Sequence, residues 1–463
     1  MKNIKGLYKF FIFPFILIIG GCSSIVSSVE QYKQVDKFVS QENYLEAIST
    51  FEKSKKQYFD EKDRVLYWLD LGLLNHLALK DSNSITNLHL ADNAMEELYT
   101  KSISKGVVSM LLNDNALDYS GEDYENLYVN VFKALSYYRL GSSEEALIEI
   151  RRLIEKFVEL EQKYQKEIDL LKDTTSTNPK VEEVKINFYS SALSHFISMI
   201  LFHNDRAYDD ARISKEKLYE TFETQKELYN FKKPNFDTLL AFTGKSKIAF
   251  LSFLGKAPSK YEYIFSIDTF KDLLIISVIE NGKWVQFSST VWIGLKGGLH
   301  TKFAVPKIKK NGSLVSNVEI YVDGKYVTNM KKLESIENIA YETFKRNEAI
   351  TYLKSLTRTV TKAIANEALN KELDKQTGGG TFGNLTRLLS GALINSTENA
   401  DIRISHYFPS FAYAGNIELE PGSYNIELIY KDKNNNLIAT DKFENYKVPR
   451  TKNINLIETV LLK

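Results

Sequence analysis

The apolar residues of this 463-residue chain change their period near Gly244, and that change constrains the fold more than any other feature. Before it they recur every three or four positions, the period of one face of a helix. After it they alternate or run in short β-branched blocks, the period of strands. Helices in one block and strands in another predict an α+β chain rather than an alternating one. The front is read as helical over residues 31–233. The rear is read as β-rich over 244–330 and 396–463, with residues 331–395 as a helical insert and glycine-rich connection.

The helices come in pairs. Tyr44, Ala47, Ile48 and Phe51 form one apolar stripe after the turn Gln41-Glu42-Asn43. Ala134 and Tyr137 precede the turn Leu140-Gly141-Ser142-Ser143, and Ala146, Ile150 and Leu153 follow it. Alanines twelve positions apart across a tight turn let two antiparallel helices approach closely, the spacing of a tetratricopeptide repeat. Trp68-x-x-Leu71-Gly72 matches the opening of that consensus, with Asn75 in place of its tyrosine. Its partner helix, carrying Ala91 and Met95, is expected beyond a longer linker, Lys80 to Ser84. A fourth pair, Ile186 to Phe202 and Asp205 to Phe222, carries Ala192, Ala207 and Ala211. Such units stack to bury a continuous core. The stack either presents a concave surface to a peptide or helix, or supports the rear half as a packed α domain. Lys172 to Glu183, polar and with a proline, marks an exposed loop.

At the N-terminus, Lys2, Lys5 and Lys9 flank the apolar run Phe10 to Ile19, which Gly20, Gly21 and the sole cysteine, Cys22, close. The run is shorter than the roughly 20 residues that span a bilayer, so residues 1–21 read as a secretory signal. Ile19-Gly20-Gly21-Cys22 resembles the lipobox of bacterial lipoproteins, which makes Cys22 the lipidation site and a palmitate-type acyl anchor the link to the membrane. The competing reading is a signal cut elsewhere beside an incidental cysteine. Residues 22–30, with Ser23, Ser24, Ser27 and Ser28, are a polar tether. Ser23 lacks the aspartate that retains many lipoproteins in the inner membrane, so outer membrane is expected. Without the three signal lysines, 57 basic residues face 59 acidic ones, a net charge of −2 that gives no bias toward nucleic acid. No disulfide can form within the chain, and stability has to come from packing.

One charged cluster is more specific than the repeats. Asp118-Tyr119-Ser120-Gly121-Glu122-Asp123-Tyr124-Glu125 leads into the third helix pair, whose second helix carries Ala146, Glu149, Arg151 and Arg152. The segment resembles a family of uncharacterised bacterial lipoproteins in which G-E-D-Y-E precedes a tyrosine-rich helix and then A-x-x-E-x-R-R. The resemblance continues through Gly255-Lys256-Ala257-Pro258, Ala340-x-x-x-Phe344, Ala400-Asp401-x-Arg403, Phe408-Pro409 and Leu419-x-Pro421-Gly422. His406, Tyr407 and Phe408 depart from it. It implies a tetratricopeptide-like front half, a β-rich rear half and a place in an envelope complex, with no assigned reaction. Glu122, Asp123, Tyr124, Glu149, Arg151 and Arg152 are candidate partner-binding residues, because guanidinium forks match carboxylates. The same charges would equally bridge helix ends.

In the rear half, Ile264 to Ile267, Leu273 to Ile279, Trp284 to Ile293, Thr301 to Val305, Val318 to Tyr321 and Tyr326 to Thr328 read as strands. Glu280-Asn281-Gly282-Lys283 and Asp323-Gly324-Lys325 are hairpin turns. Gly415 to Glu418, Tyr424 to Tyr430 and Leu437 to Phe443 make a closing meander around Glu420-Pro421-Gly422 and the loop Asp432 to Asn436. Both β segments are expected in one sandwich-like domain, with a helix pair from Lys332 to about Asn370 inserted between them; two separate sheets are the other arrangement. Arg346, Lys354, Arg358 and Lys362 are expected on a solvated or lipid-facing side of that pair. Gly378-Gly379-Gly380-Thr381-Phe382-Gly383 lacks the Gly-Lys-Ser/Thr ending of a phosphate loop and reads as a connection into Leu385 to Ile394.

Asp401 and Arg403 are expected to form a structural ion pair. The six histidines lack metal-site spacing, and no Ser/His/Asp or Cys/His set stands out, so neither metal, cofactor nor catalytic residue is expected. The chain therefore reads as a non-enzymatic, lipid-anchored scaffold binding envelope proteins, among them other lipoproteins, in outer-membrane assembly, export or cell-wall synthesis regulation. The alternative is a protein that binds or hydrolyses peptidoglycan or another polysaccharide.

Overall fold

The computed structural model describes residues 27–109, 115, 117–174, 188–280, 283–291, 297–298, 300–348, 351–352, 355–356, 358–359 and 399–463. The expectations on Cys22, on the loop beyond Thr174, on Asn281 and Gly282, on Lys354 and Lys362, on Gly378 to Gly383 and on Leu385 to Ile394 lie outside these residues.

The front half is helical: α1 (Ser27–Ser40), α2 (Tyr44–Tyr58), α3 (Arg64–Leu77), α4 (Asp81–Ser109), α5 (Asp123–Arg139), α6 (Ser143–Thr174), α7 (Ala192–Asn204), α8 (Tyr208–Thr224) and the short α9 (Asp237–Leu240). From α1 to α8 each helix packs against the next. Four hairpins share one three-residue turn whose middle residue is left-handed: Glu42 at φ 58°, Leu79 at 56°, Gly141 at 80° and Arg206 at 68°. In each, the N–H after the left-handed residue donates five residues back, Asn43 to Phe38, Lys80 to Asn75, Ser142 to Tyr137 and Ala207 to Phe202. This closure satisfies carbonyls that a helix end leaves unpaired and reverses the chain in the least length. Small residues then set the helix spacing. A Cβ on Gly72 would lie 2.5 Å from the Leu88 side chain, and Ala47, Ala91, Ala134, Ala146, Ala192 and Ala211 are fully buried.

Two expectations are corrected here. The tether is shorter than residues 22–30, since α1 begins at Ser27. The linker Lys80 to Ser84 is helix from Asp81 onward, with Ser84 fully buried. Asp-Ser-Asn-Ser has loop composition because side chains that suit a helix's first turn also make turns.

The strands are β1 (Ser246–Leu254), β2 (Ser259–Phe270), β3 (Leu273–Glu280), β4 (Lys283–Val291), β5 (His300–Lys309), β6 (Asn317–Val322), β7 (Lys325–Asn329) and β8 (Lys331–Ser335). A helix, α10, covers residues 336–348. Then come β9 (Phe411–Leu419), β10 (Gly422–Lys431), β11 (Leu437–Val448) and β12 (Ile454–Leu461). One sheet has the order β12-β1-β9-β8 and a second β11-β10-β6-β7, so the two sequence segments interleave in both. The first sheet is the middle layer of three. Ala249, Leu251, Phe253, Leu333, Ala412 and Ala414 face the helices, where Phe253 meets Phe132 at 5.1 Å. Ile248, Phe250, Leu254, Ile417 and Ile457 face Val318, Ile320, Ile426, Leu428 and Tyr430 of the second sheet.

β1 is buried along its whole length and pairs parallel with β12 and antiparallel with β9. With apolar neighbours on both faces its sequence has no alternation to reveal a strand, which is why β1 is missing from the strands expected from sequence; β12 is missing from them too.

The single sandwich needs correction as well. β2 to β5 form their own sheet, in the order β4-β3-β2-β5, around Phe265, Ile267, Leu274, Ile276 and Phe303, with Tyr352 and Leu356 against it. The insert does not begin at Lys332, which lies in β8 and pairs with Tyr413 of β9. Arg346 and Arg358 are buried rather than solvated or lipid-facing. No helix among the described residues is long and apolar enough to cross a membrane.

Candidate functional site

At the start of α5, Glu122 and Glu125 form a reciprocal capping box. Glu125 Oε2 accepts from the Glu122 N–H at 2.9 Å and from Tyr119 Oη at 2.7 Å, while its Oε1 accepts from the Ser405 N–H at 2.6 Å. On α3, Asp70 accepts from Tyr32 Oη at 2.6 Å, Ser405 Oγ at 2.6 Å and the His406 N–H at 2.9 Å. Burial raises each carboxyl to about 7 against these stabilising hydrogen bonds. Two carboxyl groups on α3 and α5 therefore grip the segment that leads into β9. His406 stacks on Tyr32 with ring centroids 3.6 Å apart, which places it inside this joint.

Asp401 and Arg403 pair at 2.6 Å, and Arg403 also reaches Asp63 at 2.9 Å. Burial alone would raise the Asp401 carboxyl, but the Arg403 guanidinium holds it below the usual range. The candidate residues on α5 serve the same joint. Glu122 pairs with Lys260 of β2, Asp123 accepts from Asn347 Nδ2 of α10 at 2.6 Å, and Tyr124 is buried with its ring edge-on to Phe408 at 5.6 Å. These contacts hold the helical half to the β-rich half.

Glu149 belongs to a separate buried network. Lys133 Nζ lies 2.7 Å from Glu149 and 2.8 Å from Asp92, and Lys156 Nζ lies 2.6 Å from Asp92. Burial opposes ionisation of Asp92, yet Lys156 and Lys133 outweigh it and bring its carboxyl down to about 2. Charges inside a helix stack are tolerated only when paired in this way. Arg151 and Arg152 are exposed on the outer face of α6, together with Ile148, Ile154 and Val158. Arg152 Nη1 lies 3.9 Å from Asp92. The structure thus separates the candidate cluster: Glu122, Asp123, Tyr124 and Glu149 are engaged within the fold, whereas Arg151 and Arg152 face outward.

Two features have no counterpart in the sequence reading. Glu334 of β8 is fully buried beneath the start of α7 and accepts from the Leu193 N–H at 2.8 Å, Ser191 Oγ at 2.8 Å, Tyr229 Oη at 2.9 Å and Tyr128 Oη. A lone Glu in the short strand Lys331–Ser335 carries no mark of this role. Beside it a cavity of about 300 Å³ opens between α6, α7 and α8, lined by Ile154, Phe157, Tyr189, Ser190, His195, Lys217, Glu220 and Thr221 among others. Lys217, Glu220, Thr221 and Thr224 share one face of α8 by their three- and four-residue spacing, which was the available signal. Among the described residues no group of three or more His, Cys, Asp or Glu side chains is placed to hold a metal ion.

Compared with known proteins, the chain matches no family model, no curated protein and no solved structure.

Proposed function

We propose that this chain is a lipoprotein tied through Cys22 to a bacterial outer membrane, and that its tetratricopeptide-like hairpins bind an envelope protein partner. The observation that carries the reading is the outer face of α6, where Arg151 and Arg152 stand exposed among Ile148, Ile154 and Val158. Interface centres favour arginine and apolar side chains together; Arg151 and Arg152 both stand exposed there, Arg152 reaching back only at 3.9 Å to Asp92. The partner expected on this face has a carboxylate-bearing, partly apolar surface.

Hydrolysis of a cell-wall polymer calls for two carboxyl groups flanking a cleft. Glu122 and Asp123 are each paired between the two halves of the fold, Asp401 is paired with Arg403, and none of the three lines the cavity, which favours binding over that alternative.

Crosslinking in intact cells followed by affinity purification tests the proposal. Defined envelope proteins should be recovered with the wild-type chain, and Arg151→Glu with Arg152→Gln should deplete them by about tenfold, as loss of about 1.4 kcal/mol would, with the chain still cooperatively folded. Recovery of the chain alone, or of the same partners with the double variant, would overturn it. Release from membranes by Cys22→Ser is expected, and persistence there would remove the anchor from the reading.

A further inference from the structure

We propose that the cavity between α6, α7 and α8 binds a free α-amino acid with an apolar side chain. The walls supply complementary groups for each part of such a molecule: a cation in Lys217, acceptors in His195 and Glu220, and an apolar wall in Ile154 and Phe157. At about 300 Å³ it stands at the lower end of the range of ligand pockets, roughly 300–1,000 Å³, which suits a molecule of this size.

The hydrogen-bond network assigns the imidazole's role. Thr221 Oγ1 donates to the Lys217 carbonyl at 2.8 Å and so has no proton left for Ser190. Ser190 Oγ therefore donates to Thr221 at 2.9 Å, and must accept from His195 Nε2–H, also at 2.9 Å. The proton of the neutral ring sits on Nε2 and the lone pair on Nδ1. No protein donor among the described residues reaches Nδ1. The same assignment argues against Ser190 as a nucleophile activated by His195, because the ring nitrogen facing the hydroxyl is already protonated. Burial, reinforced by the Lys217 charge, lowers His195 to about 4, so the acceptor persists at neutral pH.

Lys217 and Glu220 lie at the exposed rim, and neither forms an ion pair among the described residues. Opposite charges left apart on one wall match a zwitterion. The ligand carboxylate faces Lys217, its ammonium donates to His195 Nδ1 and Glu220, and its side chain lies against Ile154 and Phe157. This site borders the Arg151 and Arg152 surface, sharing Ile154 with it, but takes a small molecule rather than a protein and needs neither that surface's arginines nor the lipid anchor.

Calorimetric titration of the full chain in detergent tests it, with L-leucine and L-phenylalanine as probes and N-acetyl-leucine and leucine amide as blocked controls. Saturable binding of at least one amino acid is expected, with each blocked derivative weaker by about tenfold or more, since each loses one charged contact. Lys217→Met should weaken the bound amino acid by a similar factor. The derivatives probe the wild-type chain, so the result stands even if a variant misfolds. Absence of saturation by both amino acids at millimolar concentration, or equal binding of the blocked derivatives, would overturn the proposal.

Discussion

Single buried charges do most of the joining in this molecule. Asp70 is fully buried and holds Ser405 and His406, while Lys133, also fully buried, links Asp92 with Glu149. Sequence singled out Glu149 but gave no role to Asp70, Glu125, Lys133 or Glu334, because a charged residue on a helix face or strand looks the same whether it meets solvent or a partner on another element. Asp70 makes a measurable prediction. Its carboxyl moves from 3.8 to about 7 on folding, with burial as the largest cause and Asp36 adding to it. Between those values the folded chain retains a proton that the unfolded chain releases, so this group's contribution to stability falls as pH rises through the window. His76, His89, His195, His203 and His406 are all lowered by burial and act in the opposite sense, losing stability as pH falls below 6.5. The quantity to measure is therefore the difference between wild type and Asp70→Asn in denaturant unfolding. From about pH 5 to about pH 8 the variant should gain on the wild type, by at most about 1.4 kcal/mol per pH unit. A difference that is flat in pH would remove the titration from the account.

Among the elements, the repeated unit is clearest in its turn. Left-handed backbone suits glycine, yet only Gly141 of the four positions has it, and Leu79 adopts φ 56° with its side chain mostly exposed. A non-glycine residue there costs about 1–2 kcal/mol relative to its preferred backbone. Leu79→Gly and Arg206→Gly are expected to stabilise the chain by about 1 kcal/mol each, as the more usual helix-ending residue, and Gly141→Val to destabilise it by a similar amount. Thermal or denaturant midpoints of the single variants check this, and a loss of stability in both glycine variants would contradict it. The turns at Glu42 and Gly141 were readable from their polar and glycine residues. Those at Leu79 and Arg206 were not, because a leucine or arginine gives no local hint of left-handed backbone.

At the scale of the whole molecule, the middle sheet is the joint. It carries apolar side chains on both faces, and β12 from the far end of the sequence completes it beside β1. Glu458 of β12 also receives His76 at 2.7 Å and Arg139 at 3.2 Å, bringing α3 and α5 onto the sheet's end. Removal of residues 454–463 is accordingly expected to abolish a single cooperative thermal transition and expose dye-binding apolar surface, because β1 loses a paired neighbour and two helices lose a buried acceptor. An unchanged midpoint in calorimetry would show that β12 is dispensable.

What the sequence determined alone is everything written in local periodicity: helices in front, strands behind, paired helices, and the Asp323-Gly324 hairpin, whose residues sit at φ 49° and 73°. Those features rest on contacts between near neighbours, for which a few side chains suffice. Only the tertiary structure decided that the β segments interleave in two sheets, that β2 to β5 stand apart, and that Glu122, Asp123 and Glu149 turn inward while Arg151 and Arg152 do not. Strand partners and burial of charge depend on which distant surfaces meet, and hydrophobic pairing between such surfaces is non-directional until the whole chain has packed.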